Sequence, residues 1–370
     1  MVAPGKGRAE DEGVCVTVPL PAGKRIAENS CMSDCLISII ILNWNGRKWM
    51  QPCLDSIRMQ TRAAHEVICV DNDSQDDSVG FVRERYPFVR IVRNDRNYGY
   101  AEGNNRGAVV AGGDILLFLN TDAKLKDDCL ERLQDAVRAA SEHTGIFALK
   151  HYSYDGKTDL YPGRRWMGVD FLGYPCLSPK LFYADGAALA VRKGIFDQLG
   201  GFDQAHFMFA EDVDLCWRAR LRGYGLAGVE DAVVYHSAGG STFDSAPDAG
   251  AHVTSVRKRY LAERNAVRNL LKNYSAITLA AVLPALVLSY LIESVLCLCL
   301  LRPDMIGAVY LKSLSYNISM LGDTLRARRT VQRQRTVSDL AVLKGMSFIP
   351  SKYVLFTGTR LRDLVVKTER

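Results

Sequence analysis

Several signatures are missing from this 370-residue chain, and each absence removes a class of function. No G-x-G-x-x-G follows the first apolar run, so a dinucleotide-binding oxidoreductase lacks its pyrophosphate turn where it needs one. The ten cysteines are scattered; only Cys31/Cys35 and Cys297/Cys299 lie close together, without zinc-ligand spacing or histidines to complete a site. They read as reduced thiols in a cytosolic setting. Residues 1–35 mix proline, glycine and charge, have no apolar run long enough for a signal peptide, and read as a flexible leader. There is no low-complexity bias and no solenoid-length repeat. The basic tail has little aromatic interleaving and no RNA-binding module beside it, so nucleic acid is not expected as a partner.

What is present is a folded chain, 48% hydrophobic and 24% charged. From residue 36 short β-branched runs alternate with helical periodicity, the pattern of a parallel sheet with crossover helices. Strands are expected over 36–42, 66–70, 89–92 and 114–119, and helices over 47–59, 77–86 and 101–111. A second segment, about 145–241, should hold strands at 181–183, 187–191 and 232–235 and helices at 193–199 and 212–222. The net charge of +6 is unevenly spread: from Arg302 onward 13 Lys/Arg face 5 Asp/Glu, and everything before sums to −2. A further basic stretch, 255–275, precedes the apolar residues 276–301, which Pro284 and Glu293 interrupt. That stretch, about 39 Å long if helical, suits an interfacial or re-entrant pair of helices on an anionic membrane surface. An oligomer interface is the competing use.

Ligands of open α/β sheets sit outside the carboxyl ends of the strands. Three polar clusters fall there: Asn43-Trp44-Asn45-Gly46, Asp71-Asn72-Asp73-Ser74 and Asn120-Thr121-Asp122. Asp71 can accept from a base imide or a ribose hydroxyl, unless its segment is only a solvated turn. The glycines of the run Asn97 to Gly107, entering a helix, permit close backbone approach to an anion. Asp122, ending an apolar strand, is placed to ligate a divalent cation that bridges phosphates, or else caps the helix that follows. Glu211, Asp212 and Asp214 crowd three carboxylates into four residues, an arrangement that raises a carboxyl pKa toward that of a general base. An acidic first helical turn is the alternative. His236, closing the last strand, is a candidate second metal ligand.

Taken in order, these motifs, with Gly200-Gly201-Phe202-Asp203 between them, resemble family 2 glycosyltransferases of the GT-A fold, in their bacterial rhamnosyltransferase-like branch. The likeness covers roughly 36–241. It implies an α/β fold with a mostly parallel central sheet, residues 36–144 forming the nucleotide-binding half and 145–254 the acceptor half. A helical region, 255–370, follows, membrane-associating or oligomerising. It assigns Asn43, Asn45, Asp71, Asp73, Asn97, Gly99, Asn105, Asn120, Thr121, Asp185 and Gly186 to the nucleotide sugar. Asp122 and His236 go to Mg²⁺ or Mn²⁺, and Asp212 becomes the base, with Glu211 and Asp214 orienting base or sugar. One departure stands out: where the family often carries Asp-x-Asp, the first position here is Asn120.

The expected activity is inverting transfer of a sugar, with rhamnose the leading candidate, from a nucleotide diphosphate to a lipid-linked or polysaccharide acceptor. The expected place is the inner face of the cytoplasmic membrane. Loss of the first acid also leaves room for a non-catalytic nucleotide-sugar-binding scaffold.

Overall fold

A computed structural model describes residues 35–163, 165–237 and 255–352. The leader up to residue 34, residues 238–254 and the end of the basic tail lie outside the described residues. The first half alternates strand and helix: β1 (Ile37–Asn43), α1 (Arg47–Arg58), β2 (Glu66–Asp71), α2 (Ser78–Arg85), β3 (Val89–Arg93), α3 (Gly99–Val110) and β4 (Ile115–Asn120). There follow β5 (Ala123–Leu125), α4 (Cys129–Ala139), β6 (Thr144–Ser153), β7 (Trp166–Val169), β8 (Pro175–Ser178), β9 (Ala188–Arg192), α5 (Lys193–Leu199), α6 (Glu211–Leu221) and β10 (Gly225–His236). The helical region comprises α7 (Val256–Asn273), α8 (Ala276–Cys299), a π-helical turn at Ile306–Leu311, α9 (Lys312–Ser319), α10 (Leu321–Gln334) and α11 (Asp339–Leu343).

Eight strands form one sheet in the order β3-β2-β1-β4-β9-β6-β10-β5. β3, β2, β1 and β4 are parallel, and so are β6 and β10; β9 enters antiparallel between β4 and β6. Both faces are covered, which is why the strands read as continuous apolar runs. Ile37, Ile39 and Ile41 of β1 pack into one core layer while Ile40 faces the other, with Val70 and Phe118. Residues 181–183, expected as a strand, are irregular instead: the amides of Phe182 and Tyr183 both donate to the Met167 carbonyl at the edge of β7. β6 and the β7–β8 hairpin carry no strict alternation and escape the sequence reading.

The basic stretch 255–275 also differs from expectation. Four of its cations turn inward along α7. Arg268 binds Asp203, Asp323 and Thr324; Lys272 binds Asp203 and, at 2.8 Å, Asp214. Arg264 caps the carbonyls of Ala205 and His206, and Arg259 pairs with Glu293. These four charges therefore hold helices together instead of forming an exposed basic face. The apolar stretch likewise forms one continuous helix, Ala276–Cys299, rather than a pair. Pro284 sits on its exposed side, and Glu293 turns inward to Lys352 (2.8 Å) and Ser289 (3.2 Å). The inward stripe of α8 is Val282, Leu286, Ser289 and Glu293, whereas Val287, Leu288, Leu291, Val295 and Leu298 are exposed.

Candidate active site

Pairing between strands assembles the site. Asn120 of β4 donates its amide to Ala187, just before β9, which brings the Asp185-Gly186 turn against the Asn120-Thr121-Asp122 corner. β5 pairs antiparallel with β10 in a register that sets Ala123 opposite His236, and the Ser237 amide donates to the Asp122 carbonyl. His236 Nε2 thereby lies 3.4 Å from Asp122 Oδ1. α6 points its first turn into the same space.

The result is a cleft of about 440 Å³ whose wall includes Asp122, Asp185, Glu211, Asp212 and His236. Asn97, Gly99, Asn120, Thr121 and Gly186 line it too. Gly99 adopts φ +77°, and a Cβ there would lie 2.4 Å from the Phe207 carbonyl, which accepts the amides of Tyr100 (2.6 Å) and Ala101 (3.2 Å). Glycine is thus required where α3 meets the segment leading into α6.

Asp212 is half-buried in the cleft wall, and its carboxylate accepts the amides of Gly186 (3.0 Å) and Val213 (2.7 Å). Gly186 is clamped from both sides, since its carbonyl accepts the Tyr100 hydroxyl at 2.5 Å. Burial, then the neighbouring Asp185, push the Asp212 pKa up to about 7. Glu211 is driven upward by burial and by Asp212, and its Oε2 has no hydrogen-bond partner. Asp185 behaves differently. Burial works against its charge, but His236, the Ala187 amide and the Tyr161 hydroxyl prevail and keep it ionised. His151, driven down to about 4 by burial, is neutral and donates from Nδ1 to the Tyr161 oxygen at 2.9 Å, while that hydroxyl donates to Asp185 at 3.0 Å.

Six expected site residues do not line the cleft. Asn43 is buried and ties two loops together, bonding Asp71 (3.0 Å), Ser78 (2.7 Å) and the Gly46 amide. Asp71 is its partner beneath the surface, with Arg93 at 4.0 Å. Asn45 and Asp73 occupy left-handed turn positions, φ 51° and 62°, where Asn45 accepts the Gln75 amide. Asn105 grips the backbone of Phe202 through both ends of its amide at 2.9 Å. Asp214 points away from the cleft into ion pairs with Arg218 (2.7 Å) and Lys272 (2.8 Å). The neighbours Trp44 and Asn72 line the cleft in place of Asn43 and Asp71. Sequence reading also misses Tyr100, Tyr183 and Lys258, which reach the cleft from three separate elements. Only for Lys258 was there a trace, an i, i+4, i+8 line with Ala262 and Ala266 on α7.

One carboxylate and one imidazole suit a hydrated Mg²⁺ or Mn²⁺ that takes its remaining ligands from water and phosphate oxygens. Among the described residues no cluster of three His, Cys, Asp or Glu builds a cage from protein alone. The donors present fit such an ion.

Residues 38–200 match the family model described as Glycosyl transferase family 2. The chain carries a family 2 glycosyltransferase domain. This glycosyltransferase is 27% identical over 269 residues to the N-acetylglucosaminyl-diphospho-decaprenol L-rhamnosyltransferase of Mycobacterium tuberculosis, covering 63% of this chain and 86% of that protein. It is 26% identical over 218 residues to the O-antigen chain rhamnosyltransferase RfbN of Salmonella typhimurium, covering 54% and 66%. Its fold superposes with a TM-score of 0.53 on GalNAc-T7 solved with UDP, GalNAc and Mn²⁺, at 16% identity, over 64% of this chain and 48% of that one. The architecture is GT-A.

Proposed function

We propose that this glycosyltransferase moves a sugar, with rhamnose the first to test, from a nucleotide diphosphate to a lipid-linked or polysaccharide acceptor, inverting the anomeric centre. The observation that carries this reading is the shared cleft of Asp122 and Asp212, two acids 90 positions apart in sequence. Asp122 and His236 would hold Mg²⁺ or Mn²⁺, which when bound offsets the charge of the leaving diphosphate. Asp212, poised near neutral pH, takes the acceptor hydroxyl proton on a carboxylate oxygen. The acceptor oxygen forms its bond to the anomeric carbon from the face opposite the diphosphate. The carbon–oxygen bond to phosphate breaks, and the electron pair leaves with the nucleotide. No covalent glycosyl-enzyme intervenes.

Trp44, Asn72 and Asn97 would face the nucleoside end, with Asn43 and Asp71 positioning them from beneath. Asp185, kept ionised by the Tyr161 hydroxyl and the Ala187 amide, raises the basicity of Asp212. The outward leucines of α8 favour attachment to the cytoplasmic leaflet, since an apolar face that size is costly in water.

Thermal-shift and transfer assays with dTDP-rhamnose and UDP- and GDP-sugars, with and without Mn²⁺, test the reading. A metal-dependent shift and an inverted product by NMR are expected. Binding without hydrolysis or transfer to any acceptor makes the protein a scaffold, and no binding at all ends the proposal.

A further inference from the structure

A second cavity, about 740 Å³, lies on the other side of α7 from the cleft. α7 presents Lys258, Ala262 and Ala266 to the cleft and Arg257, Tyr260, Leu261 and Arg264 to this groove, so one helix is the partition between them. The opposite wall is Ala308, Lys312 and Tyr316, at i, i+4, i+8 along the π-turn and α9. The segment before α6 is the third shared wall: Phe207 lines the groove, while Met208, Phe209 and Ala210 line the cleft. Three of those four residues hold left-handed backbone, φ 62°, 73° and 61°, without being glycine. Such strain persists where surrounding structure imposes it and is concentrated at functional walls.

The groove is cationic and aromatic. Arg257, Arg264 and Lys312 line it, and among the described residues no carboxylate does. Arg264 stacks on Tyr316 at 4.3 Å, and the Lys312 ammonium lies 4.7 Å from the Tyr260 ring, contacts that fix both charges in the walls. The outer face of the same region is apolar: Leu311, Leu314 and Ile318 are each at least half exposed, and α8 exposes Val287, Leu288, Leu291, Val295 and Leu298. A cationic pocket opening onto apolar helix faces matches an amphiphile whose anionic head is joined to a long hydrocarbon.

We infer that this groove binds the diphosphate of a lipid-linked acceptor, with the lipid chain lying along α9 and α8 and the acceptor sugar passing over Phe207 into the cleft. The inference rests on the glycosyl-transfer reading above and adds where the acceptor is held. Arg257 and Lys312 are both exposed, so replacing them leaves the fold intact.

The test uses the full chain in mild detergent with EDTA, titrated with farnesyl diphosphate, farnesol and inorganic pyrophosphate, beside an Arg257→Ala/Lys312→Ala variant. Farnesyl diphosphate should bind at least tenfold more tightly than either farnesol or pyrophosphate. The double variant should lose at least tenfold of that affinity, while its Mn²⁺-dependent thermal shift with nucleotide sugar stays at the wild-type value. Unchanged farnesyl diphosphate affinity in the variant overturns the assignment. Equal binding of pyrophosphate makes the groove a free-phosphate site and also overturns it. So does binding to phosphatidylglycerol vesicles through the same two residues that farnesyl diphosphate does not displace. If the nucleotide-sugar shift is missing in the wild type as well, it is the cleft reading that fails.

Discussion

Asp212 and Asp214 stand two residues apart on α6, the first half-buried at the cleft and the second fully buried, and their carboxyls are driven in opposite directions. Asp214 belongs to a compensated core: Arg218, Lys272 and Asn273 surround it, Asp203 and Arg268 extend the cluster, and its pKa is held far below the usual carboxylate range. Asp212 faces the cleft, where Asp122, Asp185 and Glu211 are its acidic neighbours and backbone amides its bonded donors. Buried charge matched by cations builds structure, and buried charge left to amides is available for chemistry. Helical geometry produces the split, because positions i and i+2 point to different sides.

The contrast can be broken by exchanging the consequences. Asp212→Asn should lower sugar transfer by about 10²- to 10⁴-fold, the range for losing a general base, with the melting temperature within a few degrees of wild type. Unchanged turnover ends the assignment of the base. Asp214→Asn should do the reverse, leaving Lys272 and Arg218 short of a buried partner and costing about 3–5 kcal/mol in urea unfolding. Asp214 stabilises above the unfolded carboxyl pKa, and that contribution fades only in strong acid.

Asp122→Asn removes the carboxylate from the proposed metal pair and should raise the Mn²⁺ needed for half activity by at least roughly 10- to 100-fold, measured by metal titration. Transfer without any metal requirement would contradict the pairing with His236. The pH profile sharpens the comparison further. Asp212 acts deprotonated, so kcat/KM should fall about tenfold per unit as pH drops below about 7. Protonation favours the fold at this site, because the raised pKa means that stability is lost, not gained, as pH rises toward 7. The smallest effect is expected on α8, where the same logic is turned outward: Glu293 is buried with its cations and leucines are exposed. Leu288→Ser/Leu291→Ser should reduce flotation with anionic vesicles severalfold and leave urea stability unchanged. A loss of stability or of dimer instead would make that face a protein interface.

Much of the first half of the sheet was legible. β1 to β4 and α1 to α3 fall within two residues of their expected bounds, because period and polar strand ends are local properties. The acid cluster of α6 and the Asp122/His236 pair were legible as residue types. Which member of each motif reaches the cleft was not. Asn43 and Asp71 carry the right chemistry but spend it joining β1 and β2, while Trp44 and the buried Asn72 line the cleft.

The amino-acid order alone determined where strands end in polar residues and where three acids crowd a helix start, since both follow from near-neighbour spacing. Tertiary structure decided the rest. β9 had to slot antiparallel between β4 and β6 to carry Gly186 to Asp212, and α7 had to turn its cations inward before Asp214 could be told from Asp212. Charge compensation depends on distance in space, and residues 58 positions apart, such as Asp214 and Lys272, meet only when the chain has folded.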